Sequence, residues 1–280
     1  MYRLSAFADE ASPEIVGQIA AMKRNGISLL EIRGVDGTNI SKITTEKAKE
    51  VRSMLDAEGI KVWSIGSPIG KFHFEKGPFS EHMDDFKRVL EYADILGADK
   101  IRMFSFHPVP DMTEEQMFEM NVEYLGKFCD LTPDSIKLCH ENEKKIYGET
   151  PEKCLQIIKA LPKIRAVFDP ANFVQCGVDT LKAWEMLKPY VEYVHIKDAN
   201  EEGTVVPAGM GLGNIPTILK DYFARGGEVM TLEPHLHLFA GLDKLEDGES
   251  LKAGVRTYRD NDEAFDAGVA ALKDILATIA

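Results

Sequence analysis

Four stretches in the second half of the chain decide its fold: Ile136–Glu141 (IKLCHE), Arg165–Asp169 (RAVFD), Val191–His195 (VEYVH) and Glu228–Glu233 (EVMTLE). Each is a short apolar run that ends on a side chain able to bind a metal ion. They lie about 26 to 38 residues apart, the length of one strand plus one helix. A carboxylate or imidazole at the end of a buried strand costs free energy unless it is paired, hydrogen-bonded or metal-bound. Four such endings predict one shared site.

The first half repeats the alternation. Strand signals at Arg3–Ala8, Ile27–Arg33, Ile60–Ile65 and Lys100–Phe106 are separated by helical segments. Ser12 as N-cap with Pro13 behind it opens the first helix, and Asn25-Gly26 closes it. Further helices are predicted over 45–58 and 80–96, from the capping-box pattern Thr113–Gln116, from Thr150-Pro151, from Asp179, from Asn214 and over 261–279. Eight strand–helix units imply parallel pairing with right-handed crossovers, closed as a (β/α)8 TIM barrel. No linker divides the chain, so residues 1–280 are expected to form a single TIM-barrel domain of ordinary size. Two long connections, 66–78 after the third strand and 234–260 after the eighth, are candidate lids.

Charge narrows the function classes. A formal net charge of -13 and a pI near 5.1 lack the basic footprint of nucleic-acid binding and point to a small-molecule substrate. No stretch reaches the roughly 18 apolar residues of a membrane span, and MYRLSAFADE has no signal-peptide core. The four cysteines, Cys129, Cys139, Cys154 and Cys176, form no C-x-x-C pair and are expected as reduced thiols. Together these features predict a soluble, cytoplasmic protein with no membrane partner, and leave a homo-oligomer open. Gly209–Gly213 (GMGLG) does not follow a strand directly, so it lacks the placement of a dinucleotide fingerprint and is a weak candidate for an anion nest.

In a TIM barrel the site forms at the C-terminal ends of the strands. Glu141, Asp169, His195 and Glu233 are there the candidate ligands of one divalent metal ion. Three carboxylates and an imidazole suit Mn²⁺, Mg²⁺ or Co²⁺, with Zn²⁺ also able to occupy them. Lys197 shares the face of His195 and is a candidate substrate ligand, as is His107 after the fourth strand. Glu31, Arg33 and Arg102 lie on strands and are expected to pair with one another or to reach the pocket. Asp198 is expected to pair with a cation or orient a ligand, and His235 and His237 to lie on the surface or a lid.

The runs HEN (140–142), FDPAN (168–172), VHIKDA (194–199) and LEPH (232–235) resemble the xylose isomerase-like TIM-barrel family. That family includes ketose 3-epimerases of the D-tagatose 3-epimerase type, hydroxypyruvate isomerase, inosose dehydratase and endonuclease IV. The resemblance implies that Glu141, Asp169, His195 and Glu233 bind one metal, and that Glu141 and Glu233 also act as acid and base on opposite faces of the substrate. An ion chelated by a carbonyl and its neighbouring hydroxyl would acidify the intervening C–H and stabilise an enediolate. One position departs from the epimerase pattern: Asn172 stands where a histidine is common. Asparagine can hydrogen-bond a substrate hydroxyl but carries no proton near neutral pH.

The leading expectation is therefore a metal-dependent isomerase or epimerase of a small keto-sugar or related polyhydroxy carbonyl compound. The alternative on the same site is a lyase that dehydrates an inosose or similar ketone. An abasic-site endonuclease would need about three zinc ions and many histidines, against seven in this acidic chain. A non-catalytic sugar-binding protein is the fourth reading.

Overall fold

The computed structural model describes residues 2–239 and 258–279. Eight parallel strands close a barrel: β1 (Arg3–Ala6), β2 (Leu29–Ile32), β3 (Lys61–Gly66), β4 (Lys100–Met103), β5 (Lys137–Glu141), β6 (Ile164–Phe168), β7 (Val191–Ile196) and β8 (Val229–Leu232). Each strand pairs with its sequence neighbours, and β8 closes on β1 in the register Arg3↔Val229 to Ala6↔Leu232. The TIM-barrel reading is thus correct.

Helices pack outside: α1 (Ile15–Asn25), α2 (Thr45–Ala57), α3 (Phe79–Leu96), α4 (Glu114–Leu131), α5 (Pro151–Ala160), α6 (Pro170–Gln175), α7 (Thr180–Leu187), α8 (Ile215–Ala224) and α9 (Asn261–Ile279). Local chemistry sets their ends. Thr113 Oγ1 accepts from Gln116 N at 3.2 Å while Gln116 Oε1 accepts from Thr113 N at 2.9 Å, the reciprocal pair that the sequence announced. Thr150 and Asp179 cap α5 and α7 as expected. Gly26, at φ 69°, ends α1 in a left-handed turn that a side chain would strain.

Two caps differ from expectation. α1 starts at Ile15 rather than at Pro13, because its first free N–H is met from a distance: Asp36 Oδ1 accepts from Ile15 N at 3.0 Å, and Ser12 Oγ accepts only from Glu14 N. Asn214 stands before α8 with φ 54°, and its amide donates to Thr180 and to the Leu212 carbonyl instead of capping.

The apolar core lies mainly between sheet and helices, where Val51, Leu55, Val89, Phe128, Ile157, Leu219 and Leu272 are buried. Within the barrel, Ser5, Glu31, Ser64, Arg102, Glu141, His195 and Thr231 are buried as well. A barrel interior is usually filled by branched apolar side chains; here much of it is polar and must be satisfied internally.

The connection 66–78 packs down rather than standing open. Phe72 and Phe74 join an aromatic cluster with Phe79, His82, Phe106 and Tyr124, and Lys71 Nζ reaches Glu143 Oε2 at 2.7 Å. The connection is pinned by Gly70 N, which donates to His82 Nε2 at 2.9 Å. Of the other candidate lid, 234–260, residues 240–257 lie outside the described residues.

Burial lowers the His82 pKa from 6.5 to about 4. The folded protein therefore keeps this ring neutral where the unfolded chain takes up a proton. Its contribution is complete above about pH 6.5 and is lost as the pH falls towards 4, by up to about 3 kcal/mol. Urea unfolding of His82→Gln should accordingly show a pH dependence between 7 and 4.5 shallower than wild type by about 2–3 kcal/mol. Parallel curves for the two proteins would refute the assignment.

Candidate metal centre

The four strand-ending residues meet. Donor atoms of Glu141, Asp169, His195 and Glu233, all buried, lie within 4.8 Å of one another. His195 Nδ1 is 3.0 Å from Glu141 Oε1 and 3.4 Å from Glu233 Oε2. The other ring nitrogen, Nε2, faces away from the cluster to Glu31 Oε2 at 3.1 Å.

Asp169 has two jobs, one for each oxygen. It follows β6 directly and is the N-cap of α6, with Pro170 in the first turn; Oδ1 accepts from Asn172 N at 2.9 Å. This leaves Oδ2 aimed at the cluster and buried, with the Lys197 ammonium as its contact. The Asp169 backbone is clasped from both sides by Asn142, whose Oδ1 accepts from Asp169 N and whose Nδ2 donates to Asp169 O, both at 2.9 Å.

Cations surround the acids. Lys197 Nζ lies 3.0 Å from Asp169 Oδ2 and 3.3 Å from Glu233 Oε2. Arg33 reaches Glu233 Oε1 at 2.9 Å, Asp9 at 2.9 and 3.0 Å and Glu10 at 3.3 Å, with its guanidinium 4.3 Å above the Phe7 ring. Arg102 Nε lies 3.2 Å from Glu141 Oε2. His235, at φ 44°, places Nε2 3.4 Å from Glu10 and 3.3 Å from Glu233. It is thus part of the buried network rather than of the surface. A second group, Glu10, Glu233 and His235, has the spacing of a metal site, but the Arg33 guanidinium already bonds both of its carboxylates.

The electrostatics follow from burial. It pushes Asp169 up to about 7, aided by Glu233 and Glu141 and resisted by Lys197; it also carries Glu10 to about 7, against the pull of His235 and Arg33. Glu233 is held well below the carboxylate range, since Lys197 and His235 outweigh its desolvation. Burial opposes the charged forms of His195 and Lys197, yet their carboxylate neighbours hold both well above their ordinary values.

A divalent ion fits this set. Ligands at about 2.0–2.2 Å from one centre stand roughly 3–4 Å apart, within the spacing observed. Three carboxylate oxygens and one imidazole nitrogen, all buried, form a hard donor set.

The other candidates divide. Lys197 is in the cluster, and Asn172 touches it, donating to Glu141 Oε1 at 3.4 Å and to Asn142 O at 2.9 Å. His107 is further out, its ring stacked on His73 at 3.8 Å with Nδ1 2.9 Å from the Lys145 carbonyl. Asp198 pairs with no cation among the described residues. It accepts from the backbone N–H of Ala199, Gly209, Gly211 and Gly213 at 2.8–3.0 Å, so the GMGLG run is a nest whose anion is the chain's own carboxylate. All four cysteines are free thiols, and burial raises that of Cys176 to about 11. Sequence reasoning left Asn142 without a role and expected Glu31, Arg33 and Arg102 to pair with one another or reach the pocket; Arg33 and Arg102 reach it through Glu233 and Glu141, and Glu31 faces His195.

With this geometry in place, comparison with known proteins gives the family. The model described as xylose isomerase-like TIM barrel matches residues 19–272, and the chain belongs to that family. A search of curated proteins finds no match. Among solved structures, an L-ribulose 3-epimerase is similar with a TM-score of 0.75 at 18% identity, covering 100% of this chain and 96% of its own. The IolI protein, solved with a zinc atom, has a TM-score of 0.75 at 15% identity, with 99% of each chain covered. A probable 3-DHS dehydratase, AsbF, of Bacillus anthracis has a TM-score of 0.73 at 13% identity, covering 98% of this chain and 99% of its own. At these identities the likeness is one of fold. No helix among the described residues is long and apolar enough to cross a membrane.

The Asp198 nest yields a graded prediction. Asp198→Ala strands four backbone donors and should cost at least about 3 kcal/mol in urea unfolding, whereas Asp198→Asn, which keeps one acceptor oxygen, should cost less. Equal stability of the alanine variant and wild type would show that the nest does not hold the loop.

Proposed function

We propose that this member of the xylose isomerase-like TIM-barrel family is a metal-dependent isomerase or epimerase of a small polyhydroxylated carbonyl compound. Glu141, Asp169, His195 and Glu233 would hold the ion, with Mn²⁺, Mg²⁺ or Co²⁺ favoured by the carboxylate-rich donor set and Zn²⁺ possible on the same ligands. Bound there, the ion would supply Lewis acidity to a carbonyl and its neighbouring hydroxyl. The observation that carries the reading is the convergence of these four buried donors within 4.8 Å.

Glu141 and Glu233 are the proposed proton-transfer pair. They stand on β5 and after β8, on either side of the two strands that bring Asp169 and His195, so they flank whatever occupies the centre. Glu233, ionised beside Lys197, His235 and Arg33, is the carboxylate proposed to take the carbon-bound proton. Arg102 and Asn172 hold Glu141 in place for the return. The Lys197 ammonium is placed to meet charge developing on a substrate oxygen. Asn172 Oδ1, buried and without a hydrogen bond among the described residues, is available to accept from a hydroxyl. His107 would meet the outer end of the substrate.

Lys197 also supports a second reading, dehydration of an inosose or similar ketone. An ammonium 3.3 Å from Glu233 could protonate a departing hydroxyl after the same abstraction. The overall charge of -13 favours a small-molecule substrate over nucleic acid in either case.

Incubation of Mn²⁺-loaded protein with ketohexoses, ketopentoses and inososes in D₂O tests the proposal. Isomerisation or epimerisation with deuterium at the reacting carbon is expected, and Glu141→Gln and Glu233→Gln should each lower kcat by about 10²–10⁴. A UV-absorbing enone as product would establish the lyase instead. Full turnover by both variants would remove the two glutamates from the mechanism.

A further inference from the structure

Behind His195, on the side away from the cluster, lies a second buried group built on β2, β3 and β7. Glu31 Oε2 is 3.1 Å from His195 Nε2. The other oxygen, Oε1, accepts from Tyr193 Oη at 2.7 Å and lies 3.3 Å from Ser64 Oγ, and these two hydroxyls are 3.1 Å apart. Glu31, Ser64, Tyr193 and His195 are all fully buried. We infer that Glu31 is a positioning residue: held by Tyr193 and Ser64, it fixes His195 with the proton on Nε2 and the Nδ1 lone pair directed at the metal centre. This rests on the metal-centre reading and adds a residue to it.

Three observations carry the inference. First, the ring has only one nitrogen to give. Nδ1 faces the oxygens of Glu141 and Glu233, whereas Nε2 faces Glu31, so a ligand through Nε2 would leave Asp169 and Glu233 on the wrong side. Second, a carboxylate opposite the N–H of a ligating imidazole does more than orient it: its charge strengthens the ring as a donor. Third, the sheet is interrupted where this group needs it. The β2–β3 register shifts between Leu30 and Glu31, which sets Glu31 opposite Ser64. The β6–β7 register shifts between Ala166 and Val167, which sets Tyr193 opposite Val167. An extra residue in one strand re-aims the side chains beside it. Phe7, whose ring meets His195 edge-on at 5.2 Å, closes the remaining side.

Glu31→Gln separates charge from shape. Glutamine keeps an oxygen to accept from Nε2–H and loses the charge; its NH2 takes the place of Oε1, and the Tyr193 and Ser64 hydroxyls, which can rotate, then accept from it. The Kd for Zn²⁺, measured by chelator competition, should weaken about 10–100-fold, while the Tm of the metal-free protein stays close to wild type; a purely structural role would leave the Kd unchanged. Long-range ¹H–¹⁵N NMR of the Zn²⁺-loaded wild type should show His195 protonated at Nε2, a result independent of whether the variant folds. Wild-type protein that binds no Zn²⁺ would overturn the metal centre and this inference together. Tight Zn²⁺ binding by Glu31→Gln, or a proton on Nδ1, would overturn the inference alone.

Discussion

Six carboxylates, those of Asp9, Glu10, Glu31, Glu141, Asp169 and Glu233, share one buried, connected network with three permanent cations among the described residues, Arg33, Arg102 and Lys197. Buried charge must be compensated. Burial carries Asp169 and Glu10 to about 7, and its carboxylate neighbours hold His195 well above its ordinary value, so protons supply part of that compensation. The rest of the site can be understood from this crowding of acids. The divalent cation proposed among Glu141, Asp169, His195 and Glu233 would take the place of those protons.

The barrel makes such a concentration possible because its strands are held by elements that need no help from the site. Asn142 locks the ends of β5 and β6 together through the backbone of Asp169. Asp198 gathers the connection after β7 around itself, fixing the chain next to Lys197 and His195. Asp169 spends one oxygen on capping α6, and so the other has a single direction. Each device consumes a polar group in structure and leaves its neighbour aimed inward. A constellation prepared this way needs little rearrangement to act, which is the condition for efficient proton transfer.

The sequence made the ligands legible and their surroundings much less so. Glu141, Asp169, His195 and Glu233 could be read because each terminates an apolar run, and because strands of one barrel end on one rim. Glu31 could be seen as a charge in a strand, but its partner His195 is 164 residues away, and a register shift next to Glu31 decides what it faces. Periodicity carries no signal for a bulge. α6 escaped for a different reason: six residues are too few to show a helical repeat, and Asp169-Pro170 reads equally as a turn. The Ser12 cap failed because Asp36, well downstream in the chain, supplied the better acceptor. Asp198 was read through its neighbours in the strand, while its true partners were the glycine N–H groups of a loop 11 to 15 residues on.

The account depends on one cation sitting among four particular donors. Anomalous diffraction from a Mn²⁺-soaked crystal tests this directly. A single anomalous peak is expected at coordination distance, about 2 Å, from Glu141, Asp169, His195 Nδ1 and Glu233. A peak at Glu10 and His235 instead, or none within the barrel mouth at saturating Mn²⁺, would contradict it.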